Sequence, residues 1–88
     1  MTKAQANEIK KIINKDEAAP YTTYYQSKNE VLRVRVYTYN NDKYDSAKEK
    51  EEIIKLLNKL SANGMRPRYS IDHKTYQGFI HDTFVIFQ

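Results

Sequence analysis

Apolar residues recur with helical spacing in a first segment, from about residue 2 to residue 15. One side of this segment is lined by Ala6, Ile9 and Ile13. Thr2 and Gln5 have the spacing of a capping box, in which each side chain accepts a hydrogen bond from the other residue's backbone N–H. The sequence therefore predicts an N-terminal helix that packs against the rest of the chain along a narrow apolar stripe.

The segment 46–62 carries the stronger helical pattern. Its apolar residues follow the spacing i, i+3, i+4 and i+7, with Ile53, Leu56, Leu57 and Leu60. Ser46 and Glu49 have the spacing of a second capping box, and the pair Asn63-Gly64 is typical of a helix end. We therefore predict an amphipathic helix over residues 46–62.

Four further segments alternate apolar and polar residues or are rich in β-forming residues, and we predict that they are strands. They span residues 20–26, 30–39, 65–72 and 79–87, with turns at 27–29, at 40–42 and within 73–78. The resulting order is α-β-β-α-β-β, which corresponds to two hairpins separated by the long helix. The expected fold is a single small α+β domain over residues 1–88. It has a four-stranded, largely antiparallel sheet with the 46–62 helix packed on one face.

The expected core combines one side of each helix with one face of the sheet. Its predicted members are Ile9, Ile13, Leu32, Val34, Val36, Ile53, Leu56, Leu57, Leu60, Ile71, Phe84 and Ile86. The nearly continuous apolar run from Phe84 to Phe87 indicates a strand that is buried on both faces. Pro67 cannot donate a hydrogen bond to a neighbouring strand, so the third strand either begins there or lies at an edge.

The arginines carry the main chemical signal, because all four occur in two R-x-R pairs: Arg33 and Arg35, Arg66 and Arg68. In a strand, residues two apart project from the same face, so each pair points one way. Tyr37 and Tyr39 continue the row of the first pair. A guanidinium group binds phosphates and carboxylates through paired hydrogen bonds and stacks on rings. These six side chains are therefore predicted to form a binding surface for an anionic partner.

Composition restricts the possible classes of binding partner only slightly. The net charge of +4 mildly favours anionic partners. The absence of cysteine excludes disulfides and thiolate chemistry. No apolar run reaches the roughly 18 residues of a membrane span, and the N-terminal residues do not resemble a signal peptide. We therefore expect a cytoplasmic protein without membrane contact.

Three interpretations of the Arg/Tyr row remain open. Cations with aromatic rings on a sheet face are typical of single-stranded nucleic-acid binders. The same side chains suit an acidic protein surface. The third interpretation is a solvated sheet face, where arginine stems cover the surface and pair with Glu30, Asp72 or Asp82. A second aromatic cluster, which could add contacts at an interface, comprises Tyr21, Tyr24 and Tyr25.

Signals for catalysis or cofactors are weak. His73 and His81 each adjoin an aspartate, but alternation in a strand places such neighbours on opposite faces. No spacing matches a metal site, a phosphate loop or a nucleophile elbow. We therefore expect no catalytic residues, no metal and no cofactor.

The leading expectation is a non-enzymatic binding module whose partner is single-stranded nucleic acid or RNA. The alternative is an inhibitor from a phage or mobile element, similar in role to anti-CRISPR proteins, that binds a host nucleic-acid-processing enzyme. A small basic ribonuclease is the third hypothesis. A homodimer could also form, if an exposed first or last strand pairs across a two-fold axis.

Overall fold

The computed structural model describes all 88 residues. Its elements follow in the order α1 (Lys3–Asn14), β1 (Thr23–Gln26), β2 (Val31–Val36), β3 (Tyr39–Asn40), β4 (Lys43–Tyr44), α2 (Ser46–Ala62), β5 (Tyr69–Tyr76) and β6 (Phe79–Phe87). The predicted α+β architecture and both predicted helices are confirmed.

One antiparallel sheet contains four of the strands, in the order β1-β2-β6-β5. The short strands β3 and β4 pair separately as a hairpin. The prediction that the last strand could be an exposed edge is wrong, because β6 lies between β2 and β5. The two edges are β1 and β5. The position of Pro67 just before β5 agrees with the expected edge strand.

Both helices pack on the same face of the sheet. The core between these layers consists of Ala6, Ile9 and Ile13 from α1, Ile53, Leu56 and Leu60 from α2, and Leu32, Val34, Val36, Val85 and Phe87 from the sheet. Cross-strand pairing aligns the sheet residues, since Val34 lies opposite Val85 and Leu32 lies opposite Phe87. We call this side of the sheet the helix face and the opposite side the outer face.

The prediction of which β6 residues face the helices is wrong, because the pattern is shifted by one position. Val85 and Phe87 contact the helices, whereas Phe84 and Ile86 lie opposite Arg35 and Arg33 on the outer face. Phe84 is nevertheless buried, at 5% exposure. An apolar run without alternation gives no signal for the face, so only pairing with the alternating β2 determines it.

Two other predicted core residues lie outside the core. Ile71 is 45% exposed, because β5 is an edge strand and α2 does not cover it. Leu57 is only partly buried and packs against the margin of the core, whereas its neighbour Leu56 is fully buried. The stripe of α2 that faces the sheet is therefore centred on Ile53, Leu56 and Leu60.

The chain also turns earlier than predicted after β2. The strand expected over residues 30–39 ends at Val36, and the hairpin β3–β4 follows it. Asn41 and Asp42 form its two-residue turn, with φ values of 52° and 63°. Asparagine and aspartate tolerate this left-handed backbone better than most residues. The Asn-Asn-Asp segment thus closes a hairpin of its own.

The two helix starts differ from each other. Thr2 and Gln5 form the predicted capping box of α1. At α2 the capping residue is Asp45, whose carboxylate accepts hydrogen bonds from the backbone N–H groups of Lys48 and Ala47. The bond from Lys48, followed by those from the Asn40 side chain and Ala47, lowers the pKa of Asp45. The predicted Ser46–Glu49 box is wrong. Glu49 is thereby left to make contacts elsewhere.

We predict that Leu56→Ala lowers the free energy of unfolding by about 2–5 kcal/mol, because it leaves a cavity between α2 and the sheet. Leu57→Ala is the matched control and should cost clearly less, since Leu57 lies at the core margin. Urea unfolding of both variants measures the difference. Equal losses, or a larger loss for Leu57→Ala, would show that α2 is rotated about its axis.

Candidate functional site

The outer face of the sheet is free of helices and holds a mixture of cations, carboxylates and rings. Strand register places on it Tyr24, Arg33, Arg35, Ser70, Asp72, Lys74, Asp82, Phe84 and Ile86. The two cross-strand rows at its centre are Tyr24–Arg33–Ile86–Ser70 and Arg35–Phe84–Asp72. The predicted shared facing of Arg33 and Arg35 is confirmed.

The Arg33 guanidinium lies over the ring of Phe84. Its guanidinium carbon is 4.5 Å from the centre of the phenyl ring, and its Nη2 donates to Asp72 Oδ2 at 2.9 Å. Tyr24 meets the same ring edge-on, with centroids 6.3 Å apart, and the Lys74 ammonium is 5.5 Å from it. We call the contacts of Arg33 with Phe84 and Asp72 the Arg33–Phe84 clasp. It buries a phenylalanine on a face that no helix covers.

Arg33 and Arg35 therefore differ although they share a face. The Arg33 side chain is only 15% exposed and is committed to Asp72. The Arg35 side chain is 50% exposed and lies 2.8 Å from Asp82 Oδ1. That carboxylate oxygen is buried and has no aligned hydrogen bond, so Arg35 makes an ion pair without a fixed fork geometry. Arg35 is the more available of the two cations.

Tyr37 and Tyr39 do not continue the strand row, because β2 ends before them. They contact each other edge-on at 6.0 Å, and the Tyr39 hydroxyl donates to the His81 carbonyl. Beside them is a shallow depression of about 470 Å³, lined by Arg35, Tyr37, Tyr39, Asp42, Tyr76, Gln77, Phe79, Ile80 and His81. We call four exposed members of this lining, Arg35, Tyr37, Tyr76 and Phe79, the end patch.

The end patch exposes an unusual amount of aromatic surface. Tyr37, Tyr76 and Phe79 are 65%, 66% and 77% exposed. Tyr76 and Phe79 flank the two-residue turn Gln77-Gly78, in which both residues have positive φ, and they lie opposite each other. Contiguous exposed rings of this kind are typical of binding surfaces. No member of this group except Arg35 and Tyr37 was singled out from the sequence.

The second arginine pair lies at the other end of the sheet. Arg66 and Arg68 precede β5, both are exposed, and neither takes part in an ion pair. The Arg68 carbonyl accepts from the Gln88 N–H, which continues the β5–β6 ladder. By alternation Arg68 lines up with the outer-facing Ser70. The structure does not bring Arg66 together with the outer-face residues, since it lines a depression with Met1, Gln5 and Ile9.

The predicted tyrosine cluster is divided between the two faces. Tyr24 lies on the outer face, whereas Tyr21 and Tyr25 pack against the core on the helix side. The Tyr25 hydroxyl donates to the Met1 carbonyl at 2.9 Å. Burial raises the pKa of Tyr21, and Glu17 and Glu52 add to the shift. Only Tyr24 is therefore placed to contribute to an outer-face site.

A polar cluster that the sequence did not indicate lies on the helix side of the sheet. Glu49, at the start of α2 and nearly buried, accepts a hydrogen bond from the Tyr44 hydroxyl and contacts His73 Nε2 at 2.5 Å. The Tyr44 and His73 rings also meet edge-on at 5.8 Å. These three residues come from β4, α2 and β5. The cluster ties the edge strand and the small hairpin to the helix start.

In this cluster, Glu49 is a nearly buried carboxylate whose hydrogen-bonding capacity is used by its neighbours. Both Glu49 oxygens have partners, which removes most of the cost of burying it. Burial and the bond to Glu49 raise the pKa of Tyr44 from 10.0 to about 12. None of the five main surface depressions is lined by these residues. The arrangement therefore supports a structural role.

The side chains of His81 and Asp82 were expected on opposite faces of a strand, but they contact each other. His81 Nδ1 lies 3.2 Å from Asp82 Oδ2, because the β5–β6 register shifts between Lys74 and Thr75 and leaves His81 as the extra residue. His81 also lines the depression at the end patch. No group of three or more His, Asp or Glu side chains converges in a way that could hold a metal ion.

Comparisons with known proteins do not assign this chain to a family. No family model, no curated protein and no solved structure matches it. Neither helix has the length and apolar character required to cross a bilayer. Function must therefore be argued from the geometry of the outer face and the end patch.

We predict that Phe84→Ala lowers the free energy of unfolding by about 3–5 kcal/mol, because it empties the Arg33–Phe84 clasp. Phe79→Ala is the matched control in the same strand. It should change stability by less than about 0.5 kcal/mol, since the Phe79 side chain is mostly in solvent. Guanidinium unfolding of both variants tests this. A loss of under 1 kcal/mol for Phe84→Ala contradicts a buried clasp.

The raised pKa of Tyr44 predicts how the stability of the fold changes at alkaline pH. The unfolded chain loses this phenol proton near pH 10.0, whereas the folded chain keeps it to about pH 12. The raised pKa therefore contributes stability that is fully present below pH 10.0 and is lost as pH rises to about 12. Urea unfolding of wild type and Tyr44→Phe across this range measures the effect. Parallel stability curves for the two proteins would show that Tyr44 titrates normally.

Proposed function

We propose that this chain is a non-enzymatic binding module that holds single-stranded nucleic acid, RNA in particular, across the outer face and the end patch. The carrying observation is that exposed cations and exposed rings share one side of a sheet whose other side is closed by both helices. Arginine and lysine supply phosphate contacts, and flat rings supply stacking surfaces for bases.

The cations available for such a strand run along the outer face from end to end. Arg35 on β2 is half-exposed, Lys74 on β5 is exposed one row nearer the end of the sheet that carries Tyr76 and Phe79, and Arg68 is exposed and unpaired at the far end. Asp72 and Asp82 oppose them, which leaves an excess of positive charge on this face. An extended backbone laid across the strands could reach these cations in turn.

The rings available for stacking lie at the side and at one end of the same face. Tyr24 stands on β1 beside the clasp, and Tyr37, Tyr76 and Phe79 surround the end depression. Base stacking on an aromatic side chain is worth about 1–3 kcal/mol per base and tolerates any sequence. The proposal therefore implies weak sequence preference.

Arg33 has a supporting role in this proposal. Its guanidinium already bonds Asp72 and covers Phe84, so recruiting it for a phosphate would open the clasp. Arg35→Gln and Tyr37→Ala are therefore the informative changes. Lys11→Ala is a matched charge control, because Lys11 is exposed on α1 behind the opposite face.

We expect labelled single-stranded RNA to bind wild type with an affinity that falls steeply with salt, because phosphate contacts release counterions. Fluorescence anisotropy at low and physiological salt measures this. Tyr37→Ala should weaken binding about tenfold, the equivalent of one stacked base, and Arg35→Gln should also reduce the salt slope. Lys11→Ala should bind nearly as wild type.

Absence of binding by wild type, or equal losses in Lys11→Ala and Arg35→Gln, would contradict the proposal. Circular dichroism confirms that each variant is folded. A denaturing gel of the RNA after the titration separates binding from cleavage. Cut RNA would instead support the ribonuclease hypothesis, with His81 and Asp82 beside the end patch as the first residues to change.

A protein partner is the second candidate, and the end patch specifically favours it. Tyrosine, phenylalanine and arginine around a shallow depression are typical anchors at protein interfaces. An inhibitor of a nucleic-acid-processing enzyme, of phage or mobile-element origin, would use them in this way. Such a complex would survive nuclease treatment and would be lost in Phe79→Ala, a variant in which the outer-face cations are unchanged.

A further inference from the structure

The edge strand β5 is long, and its outer edge has no neighbouring strand. It spans Tyr69–Tyr76, contains neither proline nor glycine, and pairs with β6 along one side only. All of its residues are exposed except the half-buried Asp72. An edge of this kind presents a row of free backbone N–H and C=O groups to solvent.

The opposite edge is different. Strand β1 has only four residues, and the N-terminus packs beside the β1–β2 hairpin. There the Met1 ammonium donates to the Glu30 carbonyl at 2.7 Å, and Tyr25 bonds the Met1 carbonyl. The sheet therefore has one short, bordered edge and one long, open edge.

Apolar surface accompanies the open edge. Tyr69 and Ile71 project from β5 towards the helix side, yet each is 45% exposed because α2 packs over β2 rather than β5. A strand added next to β5 would shield both the free backbone groups and part of these side chains.

We propose that β5 pairs antiparallel with β5 of a second copy of this chain about a two-fold axis, joining the two sheets into one. Such self-pairing satisfies the free backbone groups of both copies at once. With the axis perpendicular to the sheet, the two outer faces lie on the same side and form one continuous surface.

Charge selects the register of this pairing. Residues directly opposite each other in a sheet share a face, so the axis must lie midway between one residue of β5 and the same residue of the second copy. We name each possible axis by that residue. An axis at Asp72 or at Lys74 places like charges opposite each other, and one at Ile71 places Lys74 opposite Arg68. An axis at Ser70 pairs Asp72 with Arg68 but places Lys74 opposite Arg66. An axis at His73 instead sets Asp72 of each copy opposite Lys74 of the other, with no like charges opposed on the outer face.

The His73 register fits the contacts that these side chains already make. Arg33 bonds only Oδ2 of Asp72, and the Asp72 side chain is 47% exposed, so its other oxygen can accept from a lysine. Two opposite-charge pairs then lie on the outer face, and Ile71 lies opposite Thr75 on the helix side. Directly opposed charges of opposite sign stabilise antiparallel pairs.

Sedimentation velocity over a range of protein concentrations tests the proposal. Wild type should shift towards twice the chain mass of 10.4 kDa as its concentration rises. Lys74→Glu and Asp72→Lys should each remain monomeric, because each places two like charges opposite each other. An equimolar mixture of the two variants restores opposite charges at both positions and should dimerise. Lys50→Glu, the same charge change on the exposed side of α2, should behave as wild type.

Wild type that stays monomeric up to its solubility limit overturns the proposal. A dimer that survives Lys74→Glu overturns it too, as does a mixture of folded variants that stays monomeric. Because Asp72→Lys also removes the partner of Arg33, amide hydrogen exchange of wild type at two concentrations provides a second measurement. Protection that grows with concentration within residues 70–76 supports the proposal. Protection that grows only elsewhere contradicts it.

Discussion

The outer half of this small domain depends on one stacking interaction, the guanidinium of Arg33 lying over the ring of Phe84. Both helices are on the other side of the sheet, so side chains of the outer face cover this ring, with Arg33 above it and Tyr24 and Lys74 beside it. A planar cation can do so because its face tolerates an aromatic surface while its edge bonds a carboxylate, here that of Asp72. The result is a second, minor core on a face that is otherwise polar.

This interaction divides the outer face into a fixed centre and an available margin. Arg33, Phe84 and Asp72 hold one another in place, whereas Arg35, Lys74 and the rings of the end patch remain exposed. A rigid centre limits the entropy that the surrounding side chains lose when a partner binds. The proposed nucleic-acid contacts use the margin, and the proposed β5 pairing uses Lys74 together with the Asp72 oxygen that Arg33 does not bond, so neither requires the clasp to open.

Much of the fold follows from the sequence because its signals are periodic. Strict alternation in β2 and the i, i+3, i+4, i+7 pattern of α2 determine which sides are buried, and Thr2 with Gln5 caps α1 as expected. The facing of β6 could not be predicted, since its apolar run lacks alternation. The burial of Arg33 and the Tyr44–Glu49–His73 cluster could not be predicted either, because their partners lie 39 and 24 residues away in the chain. Asp45 occupies the capping position that the sequence predicted for Ser46, and this leaves Glu49 outside a capping box.

The most direct measurement is guanidinium rotation in protein labelled with ¹⁵N-arginine, observed by NMR for all four arginines at once. Stacking on Phe84 and bonding to Asp72 should slow rotation about the Arg33 Nε–Cζ bond and shift its resonances through the ring current. Arg35, Arg66 and Arg68 should rotate faster. Rotation of Arg33 as fast as that of Arg66 and Arg68 would contradict the clasp, and with it the division of the outer face into a fixed centre and an available margin.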